Sequence, residues 1–131
     1  MAYQTDEKGI RMGRVVLHED DLKITVQYDG ESFALHYPNP AEIAQIETNV
    51  ARRLGGMNRS AFPAAHVQSV EAYEYVDSLY IPAECPGWFK GAWTCYNESL
   101  VAKLFGEYLR FRIDFTGKFS QRELQDSSGG S

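Results

Sequence analysis

The sequence predicts an α+β protein in which a small N-terminal antiparallel β-meander of about three strands packs against about three α-helices, the last being the longest. Three observations lead to this prediction: alternating apolar and polar residues near the N-terminus, proline and glycine signals that bound a helix after them, and a long helical repeat near the C-terminus. The 131 residues suffice for one domain with its own core. We expect residues 10–119 to form that domain, with flexible ends at residues 1–9 and 120–131.

The strands are predicted by side-chain alternation. Residues 10–17 form the first candidate strand, and the polar residues 18–21 connect it to the next. Their acidic side chains lack the alternating pattern of a calcium loop, so a solvated turn is favoured. The second strand has apolar residues at every other position, namely Leu22, Ile24, Val26 and Tyr28. Asp29-Gly30 is typical of a tight hairpin turn, after which the alternation resumes in residues 33–37.

Two helices are predicted to follow. The first begins at Asn39, a candidate N-cap, with Pro40 at the first helical position and Glu42 placed for a capping box. Gly55-Gly56 provides its end. Residues 63–80 are compatible with a helix or a strand; apolar residues at helical spacing favour the helix.

The longest helix is predicted to start after Asn97, another candidate N-cap. Its apolar residues recur every three or four positions, at Val101, Leu104, Phe105, Tyr108, Phe111, Phe115 and Phe119. An aromatic loop precedes it, and either packs on the helix as a satellite core or presents a binding surface. The candidate protein-interaction residues are Trp88, Phe89, Trp93 and Tyr96.

Composition argues against several function classes. The net charge of −5 without a basic block argues against nucleic-acid binding, and the absence of a long apolar run or leader-like N-terminus argues against a membrane role and for the cytoplasm. Cys85 and Cys95 lack a second pair, so reduced thiols are expected rather than a metal site. His18, His36 and His66 are scattered along the sequence. No catalytic motif is present, and we expect neither enzymatic activity nor a cofactor.

Several aromatic and proline patterns recur in one known family. They are Tyr37-Pro38-Asn39-Pro40, then Pro86-Gly87-Trp88-Phe89, then Phe111-Arg112-Ile113-Asp114-Phe115. Over residues 20–119 the chain thereby resembles the tail assembly chaperones of long-tailed bacteriophages. The resemblance implies a non-catalytic protein of the host cytoplasm that binds the tape measure protein and keeps it soluble during tail morphogenesis, and it is compatible with a homo-oligomer.

Two other functions stay open. One is a structural virion protein, such as a tail completion or connector subunit, that joins neighbouring copies through its β-meander. The other is a small hydrolase or ligand-binding domain, which requires a polar pocket that the sequence does not reveal.

Overall fold

A computed structural model of the chain describes residues 9–12 and 15–129, and the side chains of residues 21–117. Two β-hairpins come first and three α-helices follow, confirming the α+β class and the greater length of the last helix. The strands are β1 Gly9–Met12, β2 Val15–His18, β3 Lys23–Tyr28 and β4 Glu31–His36. The helices are α1 Pro40–Arg53, α2 Ala64–Leu79 and α3 Glu98–Gly129.

The N-terminal strands differ from the prediction. Residues 10–17 do not form one strand: β1 pairs with β2, and Met12 lies opposite Val15. The described residues therefore contain two separate two-stranded antiparallel sheets rather than one meander of about three strands. Gly13, a residue type that favours reversal of the chain, lies between the two strands in the sequence. The prediction of one strand over residues 10–17 did not take it into account.

The β3–β4 hairpin has the predicted turn, and its register places the predicted apolar residues of the two strands opposite one another. Asp29 and Gly30 have φ angles of 51° and 80°, as a two-residue turn with positive φ at both central positions requires. The buried pairs Ile24–Leu35 and Val26–Phe33 lie on one face, against the helices. One face of this hairpin therefore forms part of the core.

Local signals at the helix termini operate as predicted. The Asn39 side chain accepts a hydrogen bond from the Glu42 amide, and the Glu42 carboxylate accepts one from the Asn39 amide, at 2.9 Å each. Gly55 and Gly56 both have positive φ just after α1. The Asn97 side chain accepts from the Leu100 amide at 3.1 Å, which fixes where α3 begins.

The core lies between the β3–β4 hairpin and the three helices. Helix α2 contacts α1, α3 and β4, and α3 also contacts β3. Four residues of α3 are at most 1% exposed: Leu100, Val101, Leu104 and Tyr108. Farther along α3, Phe111 and Phe115 pack on Tyr37 with ring centroids 5.3 and 4.8 Å away. The predicted stripe is therefore buried most deeply in its first three turns.

Helix α3 extends past residue 119 to Gly129. The sequence after residue 120 contains Gln, Arg, Glu and Leu, which are good helix formers even without a core to pack against. The flexibility expected of residues 120–131 stays a prediction. Residues 130–131 lie outside the described part of the chain. Residues 1–8 of the expected flexible N-terminus also lie outside it. Within the described residues, no helix is both long and apolar enough to cross a membrane.

Two leucines on α3 test the burial of its stripe. Leu104 is completely buried, whereas Leu109 is 40% exposed. We expect Leu104→Ala to lower the free energy of unfolding by about 2–5 kcal/mol, since it removes transfer energy and leaves a cavity. Leu109→Ala makes the same chemical change on the same helix and should cost less than about 1 kcal/mol. Urea denaturation followed by circular dichroism measures both; equal losses would contradict the packing described here.

Candidate functional site

The aromatic loop, residues 86–97, is anchored by Phe89. This ring is 3% exposed and meets Phe33 and Tyr80 edge to face, with centroids 5.5 and 5.2 Å away. Such T-shaped contacts align the positive ring edge with the negative ring face. Phe89 therefore belongs to the core and not to the surface predicted from the sequence.

A second anchor joins the loop backbone to α2. The Ala92 amide donates a hydrogen bond to Asp77 Oδ1 at 2.9 Å. The preceding residue, Gly91, has a φ of 115°, and a Cβ added there would lie 2.5 Å from the same carboxylate oxygen. Both the backbone conformation and the close approach require glycine at this position.

Trp93 is held by a buried carboxylate of α2. Its Nε1 donates to Glu74 Oε2 at 2.7 Å, and Arg53 of α1 donates to the same oxygen through Nε at 2.8 Å. The Arg53 guanidinium also lies 4.2 Å from the centroid of the indole ring. Glu74 is only 5% exposed, so these charge-assisted bonds compensate its desolvation. Trp93 is 36% exposed, and its contacts with Glu74 and Arg53 restrain the indole ring.

Tyr73 flanks the same tryptophan, with ring centroids 4.9 Å apart. Burial raises the pKa of the Tyr73 phenol, and the negative charge of Glu98 raises it further. The phenol is therefore neutral at physiological pH and contributes no charge to this surface.

Trp88 and Tyr96 face solvent. Trp88 is 54% exposed; its Nε1 lies 3.0 and 3.1 Å from the two Glu31 carboxylate oxygens, and its ring meets Phe33 edge to face at 6.0 Å. Tyr96 is fully exposed, at 101%. Both line a cavity of about 290 Å³, together with Lys90, Thr94 and Cys95. The loop thus presents two aromatic side chains at the rim of a shallow depression.

The described histidine and cysteine side chains do not group into one site. His36 forms a 2.7 Å contact with Glu42, and His66 packs on Phe62 with ring centroids 5.4 Å apart. The side chain of His18 lies outside the described set. Both thiols are free, and the Cys85 Sγ lies beside the Ala34 amide and carbonyl at 3.5 and 3.6 Å. In the described part of the chain, no three His, Cys, Asp or Glu side chains are grouped to hold a metal ion.

A polar network that the sequence analysis missed joins α1 to α2. Glu47 accepts hydrogen bonds from Arg59 and from the Tyr75 hydroxyl, and Arg59 also donates to Glu71. Burial raises the pKa of Tyr75, and the Glu47 carboxylate raises it further, which keeps the phenol protonated as a donor. The network borders a groove of about 720 Å³ between α2 and α3. The small residues Ala65, Ser69 and Ala72, spaced by four and three along α2, line this groove, but their spacing alone does not show which helix packs opposite them.

Comparison with known proteins gives no further guide to this site. No family model, no curated protein and no solved structure matches the chain. Its function has to be argued from its own residues.

The conformation at Gly91 gives a test of how the aromatic loop is positioned. We expect Gly91→Ala to destabilise the protein by at least about 1–3 kcal/mol, because alanine disfavours this φ angle and its methyl group meets the Asp77 carboxylate. Gly87→Ala is the matched control, since Gly87 has ordinary φ and open space around its Cβ position, and should shift stability by less than about 0.5 kcal/mol. Thermal unfolding compares them; an unchanged midpoint in the Gly91 variant would disprove the anchor.

Proposed function

We propose that this protein is a non-catalytic chaperone that captures a protein client on the exposed aromatic side chains of its loop. The observation that carries the proposal is the contrast within the loop: Trp88 and Tyr96 are exposed, while Phe89 and Ala92 fix the backbone beneath them in the core. A rigid platform with exposed aromatic rings loses little conformational entropy on binding. Tryptophan and tyrosine are also enriched among residues that dominate interface energies.

The client that best fits the sequence resemblance is a tape measure protein of a long-tailed bacteriophage, bound in the host cytoplasm before the tail tube forms. A long helical client exposes apolar surface that requires cover. The net charge of −5 favours solubility of the loaded complex. Trp93 lies at the edge of the same surface, with its indole fixed by Glu74 and Arg53.

The proposal predicts loss of client capture in the double variant Trp88→Ser/Tyr96→Ser. Two interface aromatics that each contribute about 2 kcal/mol or more would together weaken binding several hundredfold or more, provided that their effects add. The measurement is co-expression with tape measure fragments, followed by pull-down and by recovery of soluble client. Far-UV circular dichroism reports whether the variant folds.

Met57→Ser is the matched control, because Met57 is 58% exposed but lies in the chain after α1, away from the loop sequence. It should capture the client as the unaltered protein does. A folded double variant that still keeps the client soluble would refute the loop as the contact surface. Failure of the unaltered protein to bind any tape measure fragment would instead refute the identity of the client.

A second candidate function, a structural virion subunit that assembles through its β-strands, is favoured by an open sheet edge. On the outer side of β4, both backbone groups of Ala34 already have partners. The Ala34 amide donates to the Cys85 sulfur, and the Ala34 carbonyl accepts from the Ile81 amide at 2.9 Å. Thr25 lies opposite Ala34, so its own amide and carbonyl point to the outer side of β3. Among the described residues, neither that amide nor that carbonyl forms a hydrogen bond. An edge of this kind favours strand addition.

Thr25→Pro tests the strand-mediated alternative. Proline removes an outward-facing amide without removing a hydrogen bond of the hairpin, so the fold should persist while pairing through β3 is blocked. Under this alternative, sedimentation velocity at micromolar concentration should detect self-association that disappears in Thr25→Pro and persists in Thr25→Val, which retains the amide. A protein that is monomeric without its client would argue against the virion subunit.

A further inference from the structure

The groove between α2 and α3 is lined by both apolar and polar side chains. Its volume is about 720 Å³. Six of its lining residues are small or apolar, namely Ala65, Ala72, Ala102, Phe105, Gly106 and Leu109. The polar side chains of Glu47, Gln68, Ser69 and Glu71 also border it. Tyr75, Tyr108 and Arg112 line it as well. Since Arg112 lies one helical turn after Tyr108 on α3, its guanidinium and the phenol share one face of that helix.

The Tyr108 hydroxyl is a donor without an acceptor. Tyr108 is 1% exposed, and its hydroxyl hydrogen has no acceptor among the described residues. Burial raises the pKa of this phenol, and the nearby Arg112 guanidinium, which can donate to the phenol oxygen, lowers it in opposition. A guanidinium has donors only, so this neighbour leaves the hydroxyl hydrogen unused in any case. An unpaired buried donor is destabilising, which makes such a group uncommon in a folded protein.

Arg112 likewise lacks an acidic partner within residues 21–117. The ion pairs there engage Arg53, Arg59 and Arg110 but not Arg112. Its charged neighbours on the network side, Glu47 and Glu71, are already engaged by Arg59. Arg112 is exposed at the surface, so its side chain has room to move when an acceptor arrives.

We propose that this groove binds a single carboxylate group carried on an apolar body, with Arg112 and the Tyr108 hydroxyl as its donors. A planar carboxylate matches the paired N–H groups of a guanidinium and leaves a lone pair for the phenol. The apolar lining beside these donors accommodates the hydrocarbon part of the ligand. The inference is independent of the client-binding loop.

The charges around the groove favour a monoanion over other ligands. Glu47 and Glu71 both pair with Arg59, and Arg112 has no acidic partner among residues 21–117, so a phosphate dianion would gain one free guanidinium while being repelled by two nearby carboxylates. A cationic ligand would place its charge beside Arg112, with no unpaired acceptor to receive it. A carboxylate adds one negative charge where one positive charge is unpaired.

The experiment is calorimetric titration of the full-length protein with sodium octanoate and with octanamide, its uncharged counterpart. Octanoate should bind at least tenfold more tightly than octanamide. Arg112→Gln and Tyr108→Phe should each weaken octanoate binding roughly tenfold or more. Arg110→Gln is the matched control, because Arg110 is two residues away, pairs with Glu107 and does not line the groove, so it should change binding less than about twofold.

Two further measurements test the volume of the groove and the stability of the Tyr108 variant. Gly106→Leu leaves both donors in place but fills the groove, and nothing lies within 4 Å of the Cβ position, so the helix should form and octanoate binding should be lost. Tyr108→Phe removes a hydroxyl without a partner, so its thermal midpoint should match or exceed that of the unaltered protein. A folded Tyr108→Phe variant with full affinity for octanoate would overturn the proposal.

A second titration, with peptides, identifies the source of the carboxylate. The probe is a helical Ala/Leu peptide with a single central Glu, titrated beside its Gln counterpart. Binding of octanoate alone indicates a free carboxylic acid, whereas Glu-dependent binding of the peptide alone indicates an acidic side chain of a bound protein. If neither octanoate nor the Glu peptide binds more tightly than its neutral counterpart, the groove is not a carboxylate site.

Discussion

Burial of the first three turns of α3 is the constraint on which the rest of the structure depends. Leu100, Val101 and Leu104 have no exposed surface, so α3 has one position against α2 and the β3–β4 hairpin. Because Asn97 caps this helix, the same packing fixes the end of the aromatic loop. Large apolar side chains in a close-packed interior tolerate few alternative arrangements. The exposed rings of the loop are therefore held in place by residues that do not themselves reach the surface.

Helix α2 connects the two surfaces described above. Its Glu74 and Asp77 hold the aromatic loop through Trp93 and the Ala92 amide. Its Ala65, Ser69 and Ala72 line the groove shared with α3. A helix that packs on α1, α3 and β4 moves only if those contacts rearrange together. Helix α2 therefore positions side chains of both surfaces.

The parts that the sequence revealed depend on residues within a few positions of one another. The turn at Asp29-Gly30 and the caps at Asn39 and Asn97 have signals of that kind, and all three are present in the structure. The exposure of individual aromatic residues depends instead on distant partners. Trp88 and Phe89 are adjacent in sequence, yet only Phe89 is enclosed, because Phe33 and Tyr80 surround it.

The groove was still harder to foresee for the same reason. Tyr108 was correctly placed on the buried stripe of α3, but a stripe does not reveal whether a phenol finds an acceptor. That depends on which helix packs opposite it and on how much space the small residues of that helix leave. Side-chain spacing along one helix carries no such information.

The different edges of the β3–β4 hairpin limit the symmetry of any assembly built from it. Because the Cys85 thiol and Ile81 occupy the middle of the β4 edge, only β3 is available for a neighbouring strand at that level. Two copies that join through β3 form an isologous pair related by a twofold axis, and the pair offers no second open edge there. An assembly formed by this strand pairing alone stops at the dimer, so a ring or filament requires a different, heterologous contact.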